Sequence, residues 1–292
     1  MQSCFSRRAL PLLAALLLAV SGAAQAQQHP SEETPYVPSP RGVVDAMLTL
    51  AGVRGGDHLI DLGSGDGVIL LTAASRYGAS GLGVDIDARL VKRSNAAALA
   101  AGLGGRVRFV EQDLFKTDIA PATVLTLYLL PEFNMALRQT ILDKLRPGTR
   151  VVSHDADMGD WQPEASVEVQ VPEKTVGVRK TSMVYMWTVP ARLEGRWQVR
   201  IDGGEAIEVD LMQRFQQVFG RASRAGRTQS VERGLVQGRV VFFQIGMGND
   251  ALFFSGSSNG ARISGSATDA RGRVQHWRAA RPGATPTTLS VR

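Results

Sequence analysis

His58-Leu-Ile-Asp-Leu-Gly-Ser-Gly-Asp-Gly67 is an apolar run that ends in Asp61 and passes directly into a loop with glycines at 63, 65 and 67. The run reads as a buried parallel strand, and Val68 to Tyr77 as the helix that follows it. Gly63 and Gly65 let the chain turn sharply and approach a ligand with no Cβ in the way. The helix then turns its free N–H groups toward the same place. A dinucleotide fingerprint needs glycine three residues after Gly65, where Val68 stands. Two further strands also close on acids. Gly81-Leu-Gly-Val-Asp-Ile-Asp87 places Asp85 22 residues beyond Gly63, the interval at which a second-strand acid accepts hydrogen bonds from ribose hydroxyls. Arg106-Val-Arg-Phe-Val-Glu111 leads into Gln112-Asp113-Leu114.

The surrounding grammar is that of an α/β sheet. Gly42 to Ala51 carries Val43, Val44, Met47, Leu48 and Leu50 at near-helical spacing. Strands are expected at Thr123 to Leu130 and Arg150 to Ser153, separated by a helix around Met135 to Leu145 that stops before Arg146-Pro147-Gly148. Strand and helix in alternation predict a doubly wound, Rossmann-like parallel sheet. Ser182 to Val189 is a late strand that would close it. After Pro190 short alternating runs take over, at Trp197, Val199 and Ile201, at Ile207, Val209 and Leu211, and again from Val240 to Trp277. Glycine turns separate them, which predicts a C-terminal antiparallel β-barrel or sandwich over 191–292. Gly195-Arg-Trp197 resembles the first strand of lipocalin-like barrels.

The spacing Asp61, Gly63, Gly65, Gly67 resembles motif I of class I S-adenosylmethionine-dependent methyltransferases, Asp-x-Gly-x-Gly-x-Gly. Tyr36-Val-Pro38, Asp61-Leu-Gly-Ser-Gly-Asp-Gly67 and Asp113-Leu-Phe-Lys116 together resemble the family of the ATP synthase c-subunit lysine methyltransferases, over about residues 33–190. The resemblance implies S-adenosylmethionine as cofactor, with Asp61, Gly63, Ser64, Gly65, Gly67, Asp85, Ile86, Asp113 and Leu114 around it. In such families the acid matching Asp113 sits by the adenine amino group. It also implies methyl transfer to an acceptor that includes protein lysine amines. The chain departs from that family in its β domain and in Leu129-Leu-Pro-Glu132 after the fourth strand, so the acceptor is carried over less firmly than the cofactor.

Methyl transfer is displacement at a carbon already activated by a sulfonium, so the protein mainly positions and desolvates the acceptor. The carboxyl edge of the sheet therefore supplies the candidates: Tyr128, Pro131, Glu132 and Asn134 after strand four, and His154, Asp155 and Asp157 after strand five. Glu132 or Asp155 would attract an acceptor ammonium and Tyr128 would align or deprotonate it. Each also has an ordinary reading, Asn134 as a helix cap and the acids as solvated loop residues. His58 opens strand one at the opposite edge and reads as structural. No metal is expected, because acids beside a cationic cofactor need none.

The first 26 residues differ from the rest. Arg7 and Arg8 precede an apolar Ala9 to Val20, and Ala24-Gln25-Ala26 supplies small residues for cleavage, as in a secretory signal peptide. A periplasmic protein is the expectation, or a membrane-anchored one if the segment stays uncut. Residues 27–41 then form a proline-rich lead-in, and 42–190 the α/β domain. Cys4 is the single cysteine; its removal excludes disulfides and thiolate chemistry. Loss of Arg7 and Arg8 lowers the net charge from +6 to +4, too small an excess for a nucleic-acid footprint. Export raises a second reading, a non-catalytic binding module on the same fold whose β domain binds a partner or apolar ligand, because S-adenosylmethionine is made in the cytosol.

Overall fold

A computed structural model describes residues 36–282 except Val176 and Val178; the expected signal peptide lies outside the described residues. Helix α1 (Arg41–Leu50) follows Pro40 and buries Val43, Val44, Met47 and Leu48 on one stripe. Strand β1 (His58–Leu62) leads through the glycine loop to α2 (Val68–Tyr77), which ends on left-handed Gly78. Then come β2 (Ser80–Asp85), α3 (Ala88–Ala100), β3 (Val107–Glu111), β4 (Val124–Leu127), α4 (Pro131–Lys144) and β5 (Arg150–His154). Asp87 caps α3 by accepting from Arg89 N–H.

A seven-stranded sheet results, in the order β3-β2-β1-β4-β5-β7-β6. Its last two strands, β6 (Ala165–Gln170) and β7 (Thr181–Thr188), form a hairpin. β7 runs antiparallel to β5, with His154 opposite Val184. The late strand was expected to close a parallel sheet. It does join the sheet, but reversed, and β6, too polar and exposed to announce itself, takes the edge. Side-chain alternation splits the core in two. Leu59, Val124, Val152 and Val184 face α1 and α2, while Ile60, Leu125, Leu127 and Val151 face Leu137 and Ile141 of α4. Chain order reverses between β1 and β4, which opens a crevice at their carboxyl ends.

The remaining strands, β8 (Gly195–Ile201), β9 (Ala206–Arg214), β10 (Gln217–Arg224), β11 (Arg227–Gln237), β12 (Val240–Ile245), β13 (Leu252–Ser258), β14 (Arg262–Asp269) and β15 (Val274–Ala280), form a closed antiparallel barrel. Alternation discloses β8 and β9 in the sequence, whereas polar residues dominate β10 and β11 and hide them. The interior is packed by large side chains: Phe243 stacks on Phe254 at 4.7 Å, and Trp277 meets both edge-on. The barrel is fastened to the sheet domain at Phe215, whose ring stacks on Trp161 at 5.9 Å. Gln216 Nε2 donates to the Gln162 carbonyl and Gln237 Nε2 to Glu164. No described helix is long and apolar enough to cross a membrane.

Candidate functional site

The glycine loop sits in the crevice at the β1 carboxyl end, held by its neighbours. Gly63 and Ser64 N–H both donate to the Val84 carbonyl. Gly65 N–H donates to Asp85 Oδ2 at 2.8 Å, while Asp87 N–H takes the other oxygen. A carboxylate offers about four acceptor sites, so Asp85 retains capacity for two hydroxyls. Gly65 has φ +54, and a Cβ there would lie 2.5 Å from the Tyr36 ring; Gly63 has φ +74 and faces Leu129. Gly67 differs. What its missing Cβ makes room for is Phe109, at 2.6 Å, together with Ser94, so this third glycine serves packing beneath the loop.

Asp61 is buried and bonded to Thr126 Oγ1 at 2.7 Å, but its Oδ2 has no partner in the protein; nor does Ser64 Oγ. Burial pushes the Asp61 carboxyl up to about 7, helped by the nearby charges of Asp85 and Asp66. Ile86, half exposed beside Asp85, presents an apolar face. Asp113 Oδ1 caps the short 3-10 turn Leu114–Lys116 by accepting from Phe115 N–H, with Lys116 3.3 Å from its second oxygen. A positive-φ cradle, two orphaned polar atoms and strand-end acids fit a cationic nucleoside sulfonium such as S-adenosylmethionine.

Next along the edge lies a cavity of about 220 Å³ lined by Val37 to Pro40, Tyr128, His154, Glu173, Lys174 and Ser182, among others. Tyr128 stacks on His154 with ring centroids 3.8 Å apart. Burial raises the Tyr128 phenol and lowers the His154 imidazole to about 4, so His154 is neutral at neutral pH. Its Nε2 lies 3.0 Å from Ser182 Oγ, and Nδ1 has no protein partner. Asp155, at φ 62, accepts from Met183 N–H and from Lys174 Nζ at 2.6 Å.

Of the seven candidates expected at this edge, the structure gathers Tyr128, His154 and Asp155, while Pro131 opens α4 on the surface. Glu132 is in the first turn of α4 and faces solvent. Asn134 is neither a cap nor a cavity residue: it is fully buried and donates to Ser153 Oγ and the Ala156 carbonyl, pinning α4 to the end of β5. Asp157 accepts from Gly159 N–H within its own loop. His58, as expected, bonds Ser80 at the opposite edge. Lys174 and Ser182 were missed because only the β6–β7 hairpin brings them here. Tyr36 had a faint signal, an aromatic among prolines. Burial and a bond to Asp66 raise its phenol to about 12. Among the described residues, no cluster of three or more metal-binding side chains occurs.

Residues 61–165 match the model of the ANTKMT methyltransferase domain. A protein-lysine N-methyltransferase of Saccharolobus islandicus is 39% identical over 137 residues, which cover 47% of this chain and 85% of that one. The adenine nucleotide translocase lysine N-methyltransferase of Mus musculus is 31% identical, and there the match spans only 58% of the relative. Among solved structures, an RNA methyltransferase of Salinibacter ruber bound to S-adenosyl-L-homocysteine is 47% identical, covers 54% of this chain and 96% of that one, and superposes with a TM-score of 0.50. All these matches leave much of the chain uncovered. With the glycine cradle and strand-end acids in the order such a cofactor requires, this chain belongs to the S-adenosylmethionine-dependent methyltransferase family that carries the ANTKMT methyltransferase domain.

Proposed function

We propose that the methyl acceptor is a protein lysine amine, taken into the cavity beside Tyr128, His154 and Asp155. One observation carries the reading: the cavity wall already surrounds a lysine ammonium. Lys174 Nζ donates to Asp155 Oδ2 at 2.6 Å, the Thr181 carbonyl at 2.8 Å and Ser182 Oγ at 3.0 Å. Three acceptors are what an alkylammonium needs when it leaves water. The names of the Saccharolobus and mouse relatives support the same acceptor class. An RNA acceptor, as in the name of the Salinibacter protein, is the competing outcome that the labelling test below separates.

The cofactor supplies an electrophilic methyl on a sulfonium. In this reading Asp85 would hold the ribose hydroxyls, Asp113, Leu114 and Ile86 would hold the adenine, and the edge at Gly63, Ser64 and Gly65 would hold the charged tail. Asp61 sits behind that edge. Tyr128 and His154 form a flat apolar wall that excludes water, and Asp155 steers the acceptor cation and takes up its proton. Methyl-labelled S-adenosylmethionine, the full chain and two probes, poly-L-lysine and a mixed RNA, test it. Label in poly-lysine supports the reading; label in RNA alone overturns it. The composition of residues 1–26 supports export as part of the same proposal, and N-terminal sequencing of protein from the periplasm would reveal cleavage after Ala26.

A further inference from the structure

Lys174 is the point at which the proposed acceptor chemistry turns back on the protein. It stands in the turn of the β6–β7 hairpin, where its N–H donates to the Val171 carbonyl. Its ammonium spends all three donors on Asp155, Thr181 and Ser182, and its side chain is only 15% exposed. Lys92, Lys116, Lys144 and Lys180, the other lysines of the chain, are all exposed. Lys174 shares its cavity with Tyr128 and His154 and with the segment Val37 to Pro40. The residue before that segment, Tyr36, lies on Gly65 of the glycine loop. One short segment thus joins the cofactor cradle to the cavity that holds this lysine.

Resting on the lysine-acceptor reading, we infer that the enzyme methylates its own Lys174. The Nζ lone pair forms the new N–C bond as the C–S bond breaks, and the electrons of that bond pass to sulfur, which becomes a neutral thioether. The amine must first lose a proton, which passes to the Asp155 carboxylate and from there to water. Each methyl removes one N–H donor from an ammonium that has three acceptors to satisfy. A monomethyl lysine still bonds two of the three, whereas a dimethyl lysine bonds one, so a single methyl is the favoured product. Its arrival loosens the hold on Asp155 and leaves that carboxylate to an incoming acceptor.

Incubation of the full chain with methyl-labelled S-adenosylmethionine, followed by peptide mass mapping of all five lysines, tests the inference. Addition of one labelled methyl group to the peptide bearing Lys174 is expected, with the four exposed lysines unlabelled. Lys174→Arg should abolish that label while S-adenosylhomocysteine binding, measured by calorimetry, persists. Poly-L-lysine is labelled in parallel. If poly-lysine takes label and Lys174 does not, self-methylation is wrong and the lysine reading stands. Label spread evenly over the exposed lysines also overturns the inference. Absence of label from both lysine sources overturns the acceptor reading together with it.

Discussion

The Gly65 N–H donates to Asp85 Oδ2 at 2.8 Å, which ties the glycine loop to the end of the neighbouring strand. The other Asp85 oxygen holds Asp87 N–H, next to the cap of α3. One carboxylate therefore orders two backbone turns before any ligand arrives. Asp85→Asn exchanges one acceptor oxygen for a donor, and one of the two amides must lose its partner. Urea unfolding is expected to show a loss of about 1 kcal/mol; no change would mean the loop is held without it.

Tyr36 and Gly65 should behave as a coupled pair. Gly65→Ala adds a Cβ at φ +54 and 2.5 Å from the Tyr36 ring, so it strains the backbone and displaces the ring. Tyr36→Ala removes the second penalty but not the first. Binding of S-adenosylhomocysteine to the two single variants and the double variant is expected to be non-additive, with the double less impaired than the sum. Simple additivity would show that the ring does not rest on the loop in solution.

Asp61 and His154 should give opposite pH signatures. The Asp61 carboxyl, raised from 3.8 to about 7 in the fold, contributes stability that is complete below about 3.8 and is lost as pH rises through about 7. His154, lowered from 6.5 to about 4, contributes stability that is present above 6.5 and is lost as pH falls toward 4. Asp61→Asn should therefore raise the melting temperature at pH 8 relative to pH 4, and His154→Gln should blunt acid destabilisation. Melting curves from pH 4 to 8 that keep the wild-type shape in both variants would contradict these assignments.

Barrel and sheet domain should melt as coupled units through Phe215. Its ring lies between Trp161, at 5.9 Å, and the Arg138 guanidinium, at 5.3 Å. Phe215→Ala removes both contacts, and a loss of about 1–3 kcal/mol is expected. Calorimetric scans are expected to show a lower or divided transition, and an unchanged single peak would rule out this coupling.

The cofactor edge was legible because its information is local. Asp61, Gly63, Gly65 and Asp85 are set by strand ends and turns, which short stretches of sequence encode directly. The proposed acceptor cavity was only half legible. Tyr128 and His154 follow strands that the pattern reveals, but Lys174 and Ser182 arrive through a reversed β7 and a solvated β6, and no local signal fixes that pairing. Asn134 shows the reverse error. Its position near a helix start suggested a cap, whereas tertiary burial against Ser153 decides its role. In the barrel, β8 and β9 alternate cleanly, while β10 and β11 carry Arg221, Arg227 and Arg233 among polar neighbours and disclose only their turn.

Whether this glycine loop and the acids behind it hold the methyl donor is decided by titrating the full chain with S-adenosylhomocysteine in a calorimeter. One site per chain is expected, with Asp85→Ala weakening it about 10- to 100-fold, the equivalent of about 1–3 kcal/mol. Absence of heat at millimolar ligand, or equal affinity in the Asp85→Ala variant, would contradict the account.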